Sequence, residues 1–566
     1  MSGVERLKVL ILGGYGTFGG RLAQLLADEA RLTLLIAGRS HAKAAAFCAS
    51  LQTTATVVPL AFDRDGAVEP QLRAIAPAIV VDASGPFQSY GADPYRVVRA
   101  ALTLGINYLD LADSADFVSG IARFDAQARA RGLFVLAGVS SFPVLTAAVI
   151  RRLAPGMVRI DTVTGGIAPS PYANVGINVI RAIASYAGRP VKLMRDGRPA
   201  VGYALIEAKR YTIAPPGRMP LRPIRFSLVD VPDLRVLPLL WSSLRSVWMG
   251  AGPVPEIWHR ALSALSWAVR LRLVASLSPL AGLMHGTMNR LSFGEHRGGM
   301  FIAVEGTGAD GRELARSWHL LAEGEDGPLI PSMAAEAIVR RCLAGKMPQP
   351  GARAAVTDLE LADYEALFQR RRIVTGVWQR DPASDQAPLY RRMLGEAWDL
   401  LPPLLKAMHD GTPIADGRAV IARGGGVLAR LVAWLIGFPQ AGRHVPVTVT
   451  FRAERGREHW QRTFGSGSGV HRFSTIQQPG CGRFDRLLCE RFGPFRFGLA
   501  LVVDDDRLRL VLRGWSLAHL PLPLALAPRI EAYESVEHGR FAFHVEIAHP
   551  LMGLIVRYRG WLAPRR

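Results

Sequence analysis

At 566 residues the chain is too long for a single hydrophobic core, so two to four domains are expected. A content of 49% hydrophobic and 20% charged residues is that of a globular protein with ample core. The formal net charge of +21 would suit nucleic acid or an anionic surface, but the basic residues are nearly all arginine and lie dispersed, so no nucleic-acid partner is expected.

The first predicted element is a fully buried parallel strand over residues 9–12. It runs into Gly13-Gly14-Tyr15-Gly16-Thr17-Phe18-Gly19, in which Gly14, Gly16 and Gly19 have G-x-G-x-x-G spacing. An amphipathic helix with Leu22, Leu25 and Leu26 on one face follows, then a second strand over residues 32–37. In this order the glycines serve a tight turn, close approach to a pyrophosphate and helix–strand packing, and the phosphates rest on free N–H groups at the helix start. The second strand ends Ala37-Gly38-Arg39-Ser40, without the acid that accepts the ribose 2′-hydroxyl in NAD sites. A guanidinium at Arg39 pairs with a 2′-phosphate and the Ser40 hydroxyl adds a donor, so NADP(H) is expected over NAD(H). The plain alternative for Arg39 is a surface loop residue.

The alternation continues with a helix over 41–51, a strand over 56–61, a helix over 68–75 and a strand over 78–82. Asp63 is a candidate contact for the adenine or ribose, with a helix N-cap as its structural alternative. Ser84, Gly85 and Pro86, just past the fourth strand, would let the backbone approach the nicotinamide half. Helices over 95–104 and 115–131 and strands over 106–109 and 133–137 complete the pattern. The expected fold is α/β, a Rossmann-type doubly wound parallel sheet with its ligand beyond the C-terminal strand ends.

From about residue 139 the alternation breaks: a helix is expected over 144–153, a strand over 160–165, a polar turn over 166–174 and a helix over 175–187. The stretch 237–291 is apolar, but Arg270, Arg272 and Pro279 interrupt its helix-like part, 262–284, so it does not span a bilayer. It reads as a core helix pair, a dimer contact or an interfacial membrane segment. Antiparallel strands over 301–306 and 317–322 and a helix over 333–343 follow. The expected domains are 1–140, the Rossmann domain; 141–325, an inserted α+β substrate or dimerisation domain; and 326–375, returning to the first. A linker over 376–388 then leads to a mainly antiparallel β (α+β) domain over 389–566. That last domain opens with helix-like stretches over 389–408 and 427–436, and strands are expected over 445–453, 459–464, 496–503, 508–515, 540–548 and 554–558.

Hydride transfer needs positioning and one proton donor or electrostatic stabiliser. Candidates on or beyond strand ends are Tyr108, Asp110 and Tyr172, with Asp113 and Asn174 beside them, and each has a purely structural alternative. Of the C-terminal histidines only His544 and His549 are close together, and their odd spacing places them on opposite strand faces, so no metal is expected. Four cysteines without paired spacing, and a first strand too near Met1 to leave room for a signal peptide, point to a reduced cytoplasmic protein, with peripheral membrane contact open.

The stretches GGYGTFGG, AGRS, VDASGPFQSYG, GINYLDLADSADF and WHLLAEGEDGPLIPSMAAEAIVRRCLAG resemble the saccharopine dehydrogenase-like (saccharopine reductase) family over roughly residues 7–370. The resemblance implies an NADP-binding Rossmann domain, interrupted by a substrate or dimerisation domain, in an oxidoreductase. Where relatives tend to have Gly-Glu after the Tyr-x-Asp strand, this chain has Ala112-Asp113. No arginine cluster for a many-carboxylate substrate is evident, and the apolar middle is more similar to the lipid-associated branch, so a hydrophobic or amphipathic metabolite is expected. The C-terminal third resembles a bacterial domain of unknown function found behind such reductases. The competing reading is a non-catalytic NADP-binding scaffold or sensor whose C-terminal domain binds a lipid or a protein.

Overall fold

The computed structural model describes residues 6–290, 293–380, 387–411, 414–465 and 470–565. They form two compact units: Met1–Tyr211 with Ile224–Val374, and Thr212–Pro223 with Thr375–Arg566.

The first unit opens with a parallel sheet. Its strands β1 (Leu7–Leu12), β2 (Leu32–Gly38), β3 (Thr56–Ala61), β4 (Ile79–Asp82), β5 (Asn107–Asp110) and β6 (Phe134–Ala137) lie in the order β6-β5-β4-β1-β2-β3. Gly351–Ala354 adds a seventh strand beside β6, parallel to it like every other neighbour. Val9, Leu10 and Ile11 have no exposed surface, as a strand covered on both faces requires. The order reverses at β1, so a crevice opens beyond the C-terminal ends of β1 and β4. Helices α1 (Thr17–Leu26) and α2 (His41–Ser50) follow β1 and β2. Helix Ile330–Leu343 packs on α1, where the Ser332 hydroxyl donates to the Phe18 carbonyl at 3.0 Å and Arg340 to that of Leu25 at 2.8 Å.

The single helix expected over 115–131 is three pieces, Ala115–Gly120, Ile121–Phe124 and Asp125–Ala130. Gly120 is a weak helix former, and the Tyr95 hydroxyl donates at 2.8 Å to the Phe117 carbonyl that a continuous helix would use. A mixed sheet makes up the rest of the unit, in the order Ala208–Tyr211, Ile224–Leu228, Ser246–Ala251, Met157–Ala168, Arg297–Gly308, Glu313–Glu323. The apolar stretch beyond it differs from its expected 262–284 helix: helices Glu256–Arg270 and Ala281–Arg290 are separated where Arg272 adopts a left-handed φ of 60° and Pro279 follows. Only His259, Leu262, Ser263 and Ser266 of Glu256–Arg270 are buried, whereas Ile257, Trp267, Leu271, Leu273 and Leu283 are exposed. Among the described residues no helix is long and apolar enough to cross a membrane.

Strand Ile373–Arg380 carries the chain onward, so residues 376–380, expected as the start of a linker, are extended strand. Residues 381–386 of that linker lie outside the described residues. The single helix expected over 389–408 is also broken: Leu389–Leu394 ends at Gly395, φ 53°, and Pro403–His409 starts after Pro402.

The second unit is a closed barrel. Ten strands, Ile414–Arg423, Gly442–Glu454, Arg457–Phe464, His471–Pro479, Leu488–Phe492, Phe495–Asp504, Arg507–Leu517, Arg529–Glu537, Arg540–His549 and Gly553–Pro564, pair antiparallel in chain order, and the last pairs back onto the first. Closure pairs each of these ten strands on both sides, and the short strand Leu520–Leu522 adds to Arg507–Leu517. His544 and His549 lie on opposite faces of Arg540–His549: His544 sits between the inward Phe543 and Val545 and stacks on Tyr533 at 4.9 Å, and the bulge beside Ile547 takes its extra residue from the neighbouring strand. Among the described residues no group of three or more His, Cys, Asp or Glu could hold a metal.

Candidate cofactor site

The glycines after β1 have different surroundings. Gly13 has φ 71°, and a Cβ there would lie 2.8 Å from the Ala83 carbonyl oxygen, so the turn and the β4 exit are in backbone contact. A Cβ on Gly19 would sit 2.3 Å from the Gly13 carbonyl oxygen, which seats the first turn of α1 directly on the loop. Among the described residues the one near neighbour of Gly16 is that same carbonyl, 3.0 Å from a built Cβ, and beyond it the space is open. Gly16 is the N-cap of α1, with no side-chain cap and no acid in the first turn. The first N–H groups of α1 therefore face this open space with the positive end of the helix dipole.

At the end of β2, Tyr15 lies against Gly38, where a Cβ would be 2.5 Å from the ring, and its hydroxyl accepts from the Ser40 N–H at 3.2 Å. Arg39 beside it is exposed and has no ion-pair partner among the described residues. Ser40 caps α2, its Oγ accepting from the Lys43 N–H at 3.3 Å, which leaves the hydroxyl proton free to donate. Asp63 is exposed beyond β3, and its carboxylate closes a local turn by accepting from the Asp65 N–H at 3.0 Å. The N-cap of the next helix is Ala67.

Past β4, the Ser84 hydroxyl and N–H both donate to the Asp82 carboxylate, and the Tyr90 hydroxyl lies 2.9 Å from Ser84 Oγ. Asp82 is fully buried and paired with Arg64, whose Nε is 3.3 Å from Oδ2 and whose guanidinium covers the Tyr90 ring. This network fixes the Ser84-Gly85-Pro86 segment from below. The facing wall comes from the segment leading into helix Ile177–Tyr186: Gly176 fits so closely that a Cβ would be 2.1 Å from Thr17 Oγ1, Asn178 donates to the Gly85 carbonyl at 3.1 Å, and Arg21 to that of Ala173 at 3.1 Å. Thr17 and Gly85 are thus brought together under one loop, while Arg39 and Asp63 lie at the ends of β2 and β3.

The catalytic candidates divide differently from expectation. Tyr108 and Asp110 are fully enclosed within the sheet, so neither reaches a substrate. Asp110 Oδ1 accepts from the Ala112 and Gly138 N–H groups at 3.0 and 2.8 Å, joining the ends of β5 and β6. Tyr172 stacks on His296 at 4.7 Å and Asn174 occupies a left-handed turn position, φ 47°. Asp113 remains accessible, and Gln88 donates to it at 3.1 Å. Burial raises the Tyr186 hydroxyl, with Asp113 and Asp230 adding to it. Gly176, Asn178, Arg64 and Tyr186 did not stand out in the sequence. For the first two the only signal is the polar Asn174-x-Gly176-x-Asn178 spacing, and Arg64 pairs with a residue on another strand end.

Burial pushes the carboxyls of Asp110 and Asp233 up to about 7 each. An unfolded chain ionises such groups near 3.9, so the folded state holds the extra protons between about pH 4 and 7, and their contribution to stability is lost as pH rises through that window. The Tm of Asp110→Asn relative to wild type is therefore expected to move in the variant's favour between pH 5 and 8. A difference that stays constant with pH would contradict the assignment.

Residues 9–136 match the family described as the saccharopine dehydrogenase NADP binding domain, and residues 401–562 match a domain of unknown function (DUF4166). No curated protein matches the chain. Among solved structures, apo saccharopine dehydrogenase (L-Glu forming) from Saccharomyces cerevisiae is 14% identical, with 66% of this chain and 100% of that one aligned and a TM-score of 0.47. The WlbA dehydrogenase from Thermus thermophilus, solved with NAD and alpha-ketoglutarate, is 16% identical over 61% of this chain and 90% of that one, TM-score 0.27. A substituted meso-dapdh from Clostridium tetani, solved with DAP, is 12% identical over 64% of this chain and 99% of that one, TM-score 0.30. The chain thus carries an NADP-binding domain of the saccharopine dehydrogenase family at residues 9–136, followed at 401–562 by a member of the DUF4166 family.

Proposed function

We propose that the chain is an NADP(H)-dependent oxidoreductase of the saccharopine dehydrogenase-like type, moving a hydride to or from a C=N, C=O or C=C bond of a hydrophobic or amphipathic metabolite. The observation that carries this reading is the uncapped N-terminus of α1 at Gly16, open to solvent, with Arg39 unpaired at the end of β2. Gly13, Gly14, Tyr15, Gly16, Thr17, Phe18 and Gly19 would hold the pyrophosphate, Arg39 and Ser40 the 2′-phosphate, Asp63 the adenine side, and Ser84, Gly85 and Pro86 the nicotinamide half. The bound nicotinamide supplies the hydride chemistry. Asp113, accessible beyond β5 and bonded to Gln88, is the carboxyl best placed to hold or release a proton beside it.

Titration of the purified protein with NADPH and NADH, followed by fluorescence, tests the cofactor. Arg39→Asp replaces a charge-assisted hydrogen bond with a like charge. It is expected to weaken NADPH binding roughly 10- to 100-fold, from about 1.5–3 kcal/mol, while leaving NADH within a few-fold. Equal losses for both cofactors would remove Arg39 from the 2′-phosphate site. A non-catalytic sensor is the competing reading, supported by the enclosure of Tyr108 and Asp110. Bound NADPH with no oxidation across a broad panel of carbonyl, imine and enoyl substrates would favour it.

The exposed apolar side chains of 257–283 support peripheral contact of a cytoplasmic protein with an anionic membrane, as does the net charge of +21. The wild type is expected to float with anionic liposomes and a Trp267→Glu/Leu273→Glu variant to lose more than half of that fraction. A doubled mass by light scattering that the same variant abolishes would instead assign the face to a homodimer.

A further inference from the structure

The barrel of the second unit is hollow. Ten strands enclose a wider lumen than the eight that side chains alone can fill, and a cavity of about 350 Å³ remains inside. Its walls are mostly aromatic and aliphatic, with Phe438, Phe473, Phe492, Trp515 and Phe543 among them, and helix Val427–Leu435 contributes Val432. On the outer face of the strands Arg418, Arg452, Arg509 and Arg557 point to solvent, and exposed apolar side chains lie on helix Val427–Leu435, with Val427, Trp434 and Leu435 among them. An apolar lumen behind charged strand faces is the reverse of a membrane-spanning barrel, so these strands turn their apolar side inward.

A polar cluster stands in this lumen around Arg462. Arg462 donates to Thr475 Oγ1 at 3.0 Å and lies 3.8 Å from the Glu490 carboxylate, and it flanks the rings of Trp460 and Phe473. Gln477 links it to the rest, donating to Glu490 at 3.2 Å and accepting from the Tyr390 hydroxyl at 3.1 Å. Only one of the five guanidinium N–H donors of Arg462 is used in these bonds. The charge around it is already balanced: Glu490 offsets Arg462, and a second carboxylate, Glu534, is held by His409 at 2.6 Å. A further anion would meet two carboxylates, whereas a neutral acceptor would find free donors.

We propose that the C-terminal barrel binds, in its lumen, one uncharged single-chain lipid-like molecule, an acyl or isoprenoid chain ending in a hydroxyl or carbonyl oxygen that accepts from Arg462. A lumen of this volume sits at the lower end of small-molecule pockets and would be filled by a medium-length chain. The inference stands independently of the cofactor site.

The test is titration of the full chain with the neutral dye N-phenyl-1-naphthylamine, followed by competition with 1-dodecanol and with dodecanoate at pH 8. The dye is expected to brighten and saturate near one equivalent, and dodecanol to displace it at least tenfold more effectively than dodecanoate. Val545→Trp, which fills the lumen, is expected to abolish the response while NADPH binding and circular dichroism stay as in wild type. If that variant does not fold, Arg462→Met provides the second arm: dye binding is retained and dodecanol weakens at least fivefold. Absence of dye binding, displacement by dodecanoate as strong as by dodecanol, a response surviving in folded Val545→Trp, or dodecanol competition unchanged in Arg462→Met would each overturn the proposal.

Discussion

Replacing Arg64 with alanine is expected to destabilise the first unit by about 3–5 kcal/mol, the usual cost of leaving a buried carboxylate without its cation. Asp82 has no exposed surface, and Arg64 is the single cation paired with it among the described residues. The guanidinium also donates to the Pro94 carbonyl at 3.1 Å and lies 3.1 Å from the centre of the Tyr90 ring, so its loss removes packing as well as charge. Oδ1 of Asp82 keeps its donors from Ser84 and Tyr90, which places the expected loss toward the lower end of the range. Slowed amide exchange in β4 reports the opening of this region and would be lost in the variant. The double variant Arg64→Ala/Asp82→Asn removes both charges and is expected to recover the charge part of the loss, a coupling of about 2 kcal/mol or more. A single Arg64→Ala variant within 1 kcal/mol of wild type would show that the pair is solvated and carries no such role. Because Asp82 holds Ser84, weaker NADPH binding should accompany the loss of stability.

The doubly wound sheet was legible because each of its signals is local. Residues 9–12 are apolar without interruption, the glycine spacing spans one turn, and each strand is followed by a helix of ordinary length. Where a break depended on a distant partner, the sequence was silent: the Tyr95 hydroxyl that ends the helix at Gly120 comes from another element. The same holds for the site. Arg39 was visible from the end of β2, but Gly176 and Asn178 reach the crevice only because the segment around helix Ile177–Tyr186 folds back over α1. Tyr108 and Asp110 were attractive as chemical types, yet β5 is a central strand and places both beneath the crevice.

The barrel was only half visible for a related reason. His471–Pro479 turns Phe473, Thr475 and Gln477 inward, so polar inward residues mask its period of two, and Asp416-Gly417 inside Ile414–Arg423 reads as a turn. Those inward polar residues are the ones that surround Arg462, so the feature that hid the strand is the feature that furnishes the lumen with hydrogen bonds.

Gly16→Asp is expected to reduce NADPH affinity at least 100-fold, about 2.7 kcal/mol or more, without unfolding the protein. Gly16 has φ −82° and ψ −178°, extended backbone that any residue adopts, and a Cβ there meets only the Gly13 carbonyl oxygen, at 3.0 Å. An aspartate at this N-cap position would accept from the first-turn N–H groups of α1, an arrangement worth about 1 kcal/mol to a helix. That gain offsets the tight Cβ contact, so the Tm of the apo protein is expected to stay within a few degrees of wild type. The same carboxylate would occupy the donors that a pyrophosphate needs and place a like charge beside it. Stability and binding thus separate at this residue. They should not separate at Gly19, where a Cβ would lie 2.3 Å from the Gly13 carbonyl oxygen, and Gly19→Ala should lower the Tm as well as the affinity. Unchanged NADPH binding in folded Gly16→Asp would mean that the open space beyond Gly16 holds no phosphate, and with it the cofactor reading of the crevice would fall.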